Sequence, residues 1–223
     1  RASKFVHHVT PMPEHVPPIE ELHGYGQAKE WGLELIEDLG AWRRGEIPFA
    51  EIDRAVILSS APGLGKSSFV QSLAKSCQLP LVATSVGAWF SGSPGYLDSI
   101  VKEIDRVFGE ASAVAPALLF LDEIDAIPRR ATLSERHSSW WTPVITHLLT
   151  ALDSTVSNKS DRLILVGATN HAERLDAALI RPGRLNKIIN IGMPNASALV
   201  GIFRQHLGAD LPDADLSGVA GLA

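Results

Sequence analysis

A parallel α/β fold, five strands with helices on both faces, is what this sequence predicts, and three observations predict it. Short apolar runs recur at residues 55–58, 79–84, 117–121, 163–168 and 187–191. Stretches with apolar residues at helical spacing separate them. The run at 55–58 opens directly into a glycine-rich segment that leads into another helical pattern. Strands alternating with helices imply crossover connections between parallel neighbours. A parallel sheet is covered on both faces, so its strands read as continuous apolar runs rather than as alternation.

The elements follow in order. Residues 1–20 hold His7, His8, Pro11, Pro13, Pro17 and Pro18 and read as an extended linker, because proline sustains neither a helix nor a central strand. Trp31, Leu35, Ile36, Leu39 and Trp42 recur at helical spacing and predict a helix over 27–44. The strand Ala55-Val56-Ile57-Leu58 follows, then the glycine-rich loop and a helix to about Cys77. Later helices are expected at 96–113, 139–152 and 172–179. Residues 154–161 read as a solvated loop. The stretch 196–207 has an amphipathic helical pattern and reads as the start of a second, helical subdomain. The expected organisation is an extended linker (1–20), a large α/β unit (21–193) and the beginning of a second, helical subdomain cut short (194–223).

Composition narrows the function classes. The net charge is −5, against the basic excess of a nucleic-acid binder, so no nucleic-acid partner is expected. Cys77 is the one cysteine, which precludes an internal disulfide and fits a cytoplasmic setting. No apolar stretch reaches the roughly 18 residues a membrane helix needs, and no leader peptide is visible. The first residue is Arg, so the sequence reads as part of a longer chain that could carry an anchor elsewhere.

The chemistry begins at Ser60-Ala61-Pro62-Gly63-Leu64-Gly65-Lys66-Ser67-Ser68. It matches the phosphate-binding pattern G-x-x-x-x-G-K-[ST] everywhere but its first position, where Ser60 stands for glycine. Gly63 and Gly65 permit the unusual backbone angles that let N–H groups curl round an anion. A helix N-terminus follows and faces the same anion. Lys66 is placed to reach the β- and γ-phosphates of ATP, and the Ser67 hydroxyl to bind Mg²⁺. Ser60 reads as a strand-end residue remote from Lys66 and Ser67. Further on, the apolar run Ala117–Leu121 ends in Asp122-Glu123. Asp122 is the candidate second Mg²⁺ ligand, and Glu123 the candidate to orient and polarise the attacking water. Asp125 reads as a helix-start or surface residue.

Two more strings complete the set: Gly167-Ala168-Thr169-Asn170, and Leu175-Asp176-Ala177-Ala178-Leu179-Ile180-Arg181-Pro182-Gly183-Arg184-Leu185. Together with the loop and the acidic pair they resemble the AAA+ ATPases over residues 20–215, closest in flavour to FtsH-like protease motors. No H-E-x-x-H occurs in the sequence, so the resemblance extends to the motor and not to a zinc protease. The resemblance implies ATP hydrolysis in a homo-oligomeric ring, hexameric in form, that unfolds or remodels polypeptides. The alternative is an assembly scaffold gated by nucleotide that hydrolyses weakly. By the same resemblance residues 21–193 form the nucleotide-binding subdomain and 194–223 begin a small, truncated helical lid, Asn170 places the water, Arg181 and Arg184 are outward-facing fingers for a neighbour's ATP, and the residues around Leu22–Gly24 pack on adenine. Trp89 and Phe90 are expected on an exposed pore loop that grips substrate. Trp140 and Trp141, with His137 and His147 nearby, read as a helix face or a subunit contact.

Overall fold

A computed structural model describes residues 9–13, 15–91, 97–157, 162–207 and 218. Its strands are β1 (Ala55–Ser59), β2 (Leu81–Ser85), β3 (Ala117–Asp122), β4 (Leu163–Thr169) and β5 (Ile188–Asn190). They form one parallel sheet in the order β2-β3-β4-β1-β5. The helices are α1 (Gln27–Arg43), α2 (Lys66–Cys77), α3 (Val86–Ser91), α4 (Leu97–Ala113), α5 (Glu135–Ser157) and α6 (Ala196–Leu207).

Strand residues alternate between two cores, as the pleat requires. Val56, Leu58, Leu118, Phe120, Ile164 and Val166 pack with Trp31, Leu35, Phe69 and Leu73 of α1 and α2. Ile57, Leu119, Leu121 and Leu165 pack on the other face with Ile100, Ile104 and Val107 of α4 and Val144, Ile145 and Leu148 of α5. Among the described residues upstream of α1 the chain is packed on the fold: the Thr10 N–H donates to the Leu81 carbonyl at 2.7 Å, and Ile19, in the 3₁₀ turn Ile19–Glu21, is fully buried. His7 and His8 lie outside the described residues. No helix among the described residues is long and apolar enough to cross a membrane.

Three expectations about local structure fail. Residues 154–157, read as the start of a solvated loop, continue α5, where the Ser154 and Thr155 hydroxyls donate back to the Ala151 carbonyl at 2.8 Å each; residues 158–161 lie outside the described residues. The stretch 172–179 is a single 3₁₀ turn, Ala172–Arg174, followed by irregular turns. Asp176 is the reason. Its carboxylate accepts from the Ala178 N–H at 2.9 Å and from the Arg130 N–H at 2.9 Å and Nε at 3.1 Å, giving the backbone an alternative to helical bonding. Trp89 is not on an exposed loop. It sits in α3 at 2% exposure, with its indole N–H donating to Thr84 Oγ1 at 2.9 Å. Phe90 is half-buried, with ring centroids 5.9 Å from Trp140 and 5.5 Å from Trp141. Both aromatics are drawn inward because α3 continues directly from β2 and turns its apolar side to the core. Gly92, Pro94 and Gly95, which follow Phe90 in the sequence, lie outside the described residues.

Candidate functional site

Parallel strands bring their C-terminal ends to one edge, where α/β sheets bind ligands. Here Ser59 stands beside Thr169, and Ser85 beside Asp122. The loop after β1 turns through Gly63 and Gly65, with φ of 81° and 77°, values costly for any residue with a Cβ. Tyr25 seals this turn from outside. Its hydroxyl donates to the Gly65 carbonyl at 3.1 Å and would lie 2.4 Å from a Cβ at Gly65. Burial pushes the Tyr25 phenol pKa up, so it stays a donor.

Lys66 is buried at the first turn of α2. Its Nζ donates to Asn170 Oδ1 at 2.6 Å, to Ser60 Oγ at 2.9 Å and to the Ser60 carbonyl at 3.2 Å. Ser60 is therefore in direct contact with Lys66, contrary to the expectation that it lies apart. The loop curls back on itself and sets the two residues together. Burial lowers the Lys66 pKa, while the negative charges of Asp122 and Asp125 act against that shift. Ser67 Oγ donates to Asp122 Oδ2 at 3.4 Å. A hydroxyl and a carboxylate at this separation, both hard oxygen donors, suit Mg²⁺, which binds through one or two protein oxygens plus substrate phosphates.

Glu123 follows in the left-handed region at φ 54°, an uncommon angle of the kind that gathers at functional sites. Its Oε2 lies 3.2 Å from where a Cβ on Gly87 would stand, so glycine at that position leaves it room. Asp125 has a role the sequence did not reveal. Its Oδ1 accepts from Thr169 Oγ1 at 2.7 Å and from the Asn170 N–H at 3.4 Å, holding the end of β4 that carries Asn170.

Beside the loop lies a cleft of about 560 Å³, within the range of small-ligand pockets. Leu22, His23, Gly24 and Tyr25 form one wall, Leu64, Gly65 and Ser68 the floor, and Leu199 and Ile202 of α6 the other wall. Gly24, at φ 84°, lies so close to the segment entering α6 that a Cβ there would meet the Pro194 Cβ at 3.2 Å and, within α6, the Ala198 Cβ at 3.6 Å. Pro62, Gly63, Ser67 and Ser68 are exposed along the loop, open to a ligand.

The two candidate fingers part company. The Arg181 N-terminal to the Pro182-Gly183 turn is exposed, and among the described residues nothing pairs with its guanidinium. It lines a second cleft of about 420 Å³ with Arg129, Arg130 and Asp176. Arg184 is turned inward. Its Nε and Nη2 donate to Asp153 at 2.6 Å each, and its Nη1 to the Ala178 carbonyl at 2.6 Å. A pair of arginines both presented outward is thus not what the turn provides.

Comparison with known proteins accords with this geometry. Residues 56–193 match the family model described as the ATPase family associated with various cellular activities (AAA). The chain is 36% identical over 158 residues to the ribosome biogenesis ATPase RIX7 of Saccharomyces cerevisiae, covering 70% of this chain and 18% of that protein. It is 33% identical over 188 residues to the ATP-dependent zinc metalloprotease FtsH 3 of Phytoplasma mali, covering 84% of this chain and 31% of that protein. It is 30% identical over 199 residues to the chloroplastic ATP-dependent zinc metalloprotease FTSH 2 of Arabidopsis thaliana, covering 89% of this chain and 28% of that protein. The chain spans less than a third of each of these relatives. A glycine turn capped by Tyr25, a buried lysine on the Asn170 amide, and a family match from β1 to just beyond β5 agree: this chain belongs to the AAA family and is an ATPase domain of it.

Proposed function

We propose that the chain hydrolyses ATP to ADP and phosphate as one member of a homo-oligomeric, hexameric ring, and that the ring remodels polypeptides in the cytoplasm. The observation that carries this reading is the meeting at one sheet edge of Lys66 with Asn170, and of Ser67 with Asp122, next to Glu123. The adenosine of ATP fits the cleft beside Gly24, with its phosphates over Gly63, Gly65 and Lys66. Ser67 and Asp122 would hold Mg²⁺, which when bound neutralises charge on the β- and γ-phosphates. Lys66 grips those same phosphates, Glu123 accepts the proton of the attacking water, and Asn170 orients that water. Arg181 reaches the ATP of the neighbouring protomer, and Arg184 supports the turn that presents it. α6 opens a helical lid over the cleft. Remodelling of polypeptides is carried over from the FtsH relatives, whose name states proteolysis driven by ATP.

A steady-state phosphate-release assay on the assembled protein tests this. Turnover that Lys66→Ala and Glu123→Gln both abolish supports it, and absence of turnover with intact ATP binding favours a second reading. That reading is an assembly scaffold gated by nucleotide, with weak hydrolysis. The contact of Ser60 with Lys66 speaks for it, since the pattern residue glycine has no side chain to engage the lysine.

A further inference from the structure

We infer that the Ser60 hydroxyl is a positioning group for Lys66, one of the acceptors that a β- or γ-phosphate oxygen must displace, so that it weakens the hold of this site on a nucleoside triphosphate. The inference rests on the phosphate-binding reading above and concerns a residue at which this chain departs from the loop pattern.

The count of donors and acceptors carries it. A lysine ammonium has three N–H donors and accepts nothing. In this structure three oxygens take them: Asn170 Oδ1 at 2.6 Å, Ser60 Oγ at 2.9 Å and the Ser60 carbonyl at 3.2 Å. Gripping one β- and one γ-phosphate oxygen requires two of these bonds to be given up. The carbonyl belongs to the backbone and would be present with glycine at position 60; the hydroxyl would not. Ser60 Oγ spends its own proton on the Ala61 carbonyl at 2.9 Å, so it meets Lys66 as an acceptor only. Ser60 is 8% exposed and Lys66 9%, so water does not readily replace a bond broken between them. Ser60 thus adds one bond to what phosphate must replace, while its N–H, 3.2 Å from the Thr169 carbonyl, ties the backbone to β4 whatever the side chain. Its φ is not positive, so alanine fits here without strain.

The test is calorimetry with MgATP and with AMP on the full chain, comparing wild type, Ser60→Ala, Ser60→Gly and Ser60→Thr. The loss of one net hydrogen bond corresponds to about a 3- to 10-fold tighter Kd for ATP in the alanine and glycine variants. AMP, which lacks the β- and γ-phosphates, should bind all four proteins alike, and threonine, which keeps the hydroxyl, should restore the wild-type value for ATP. A Kd for ATP that is unchanged or weaker in both alanine and glycine variants overturns the inference, as does an equal shift for AMP. Lys66→Ala run alongside separates the layers. If it binds ATP as tightly as wild type, the phosphate-binding reading itself falls; if it loses ATP while Ser60→Ala changes nothing, only the role of Ser60 falls.

Discussion

Arg184 and Asp153 are locked side by side, two guanidinium nitrogens on two carboxylate oxygens at 2.6 Å each, with Arg184 only 16% exposed. The same guanidinium holds the Ala178 carbonyl, so it fastens the 175–185 segment to α5. Arg184→Ala should therefore lose about 1.5–3 kcal/mol of stability, the range for hydrogen bonds to charged groups, and its Tm should fall by several degrees. Arg181→Ala, with nothing to release, should leave Tm unchanged. Thermal unfolding of the two variants side by side decides it, and a drop for Arg181→Ala alone would reverse the assignment.

Arg181 should act across a subunit boundary. Arg181→Ala protomers are expected to bind ATP and fail to turn it over, a loss of about 10³–10⁵-fold for a missing arginine finger. Glu123→Gln protomers should bind ATP and lose about 10²–10⁴-fold in rate as the water goes unpolarised. Mixed in one ring, an intact Arg181 meets an intact Glu123 at some interfaces, and part of the activity should return. Mixed rings that stay inactive at every ratio would count against a finger shared between protomers.

Asp176 gives the fold an acid-sensitive joint. Burial works against its ionisation, but hydrogen bonds from the Arg130 side chain and backbone and from the Ala178 N–H outweigh it and hold the pKa at about 2. A carboxylate with a depressed folded pKa contributes stability above its unfolded value, near 4, and loses it as pH falls towards 2. Wild type should thus lose more stability than Asp176→Asn between pH 4 and pH 2, measured by urea unfolding across that range. Parallel curves for the two proteins would show that the Arg130 contact contributes nothing to the folded state.

Trp89→Ala should behave as a core deletion. A buried tryptophan cut to alanine costs about 3–5 kcal/mol, and here the Thr84 hydroxyl also loses its indole partner. Phe90→Ala, half-buried against Trp140 and Trp141, should cost less and change tryptophan fluorescence. A Trp89→Ala protein that melts like wild type would put the indole back on the surface.

What the sequence made legible was whatever is written locally. β1, β3 and β4 are continuous apolar runs because both faces are covered, and each lies within a residue or two of its expected span. That Lys66 and Ser67 open a helix after β1, and that Asp122 and Glu123 stand at the end of β3, was legible because glycine spacing and a strand ending in carboxylates leave a linear imprint. Contacts between distant positions leave none. Asp153 lies 31 residues from Arg184 and Asp125 lies 44 from Thr169, and no spacing rule joins either pair. Even Ser60, 6 residues from Lys66, looked remote until the loop closed on itself. The helix expected at 172–179 failed for a similar reason: its apolar spacing was sound, but Asp176 answered to Arg130 instead.

The pairing of Thr10 with β2 has a consequence for how the chain keeps to itself. β2 is the outermost strand on its side, and an open strand edge invites pairing with any extended chain that meets it. The Thr10 N–H on the Leu81 carbonyl, and the Ala83 N–H on Thr10 Oγ1, occupy that edge from within. Cutting the polypeptide back to Pro17 would remove both of these bonds, along with Pro13, His15 and Val16 from the wall of the cleft, and the shortened protein should clump on concentration.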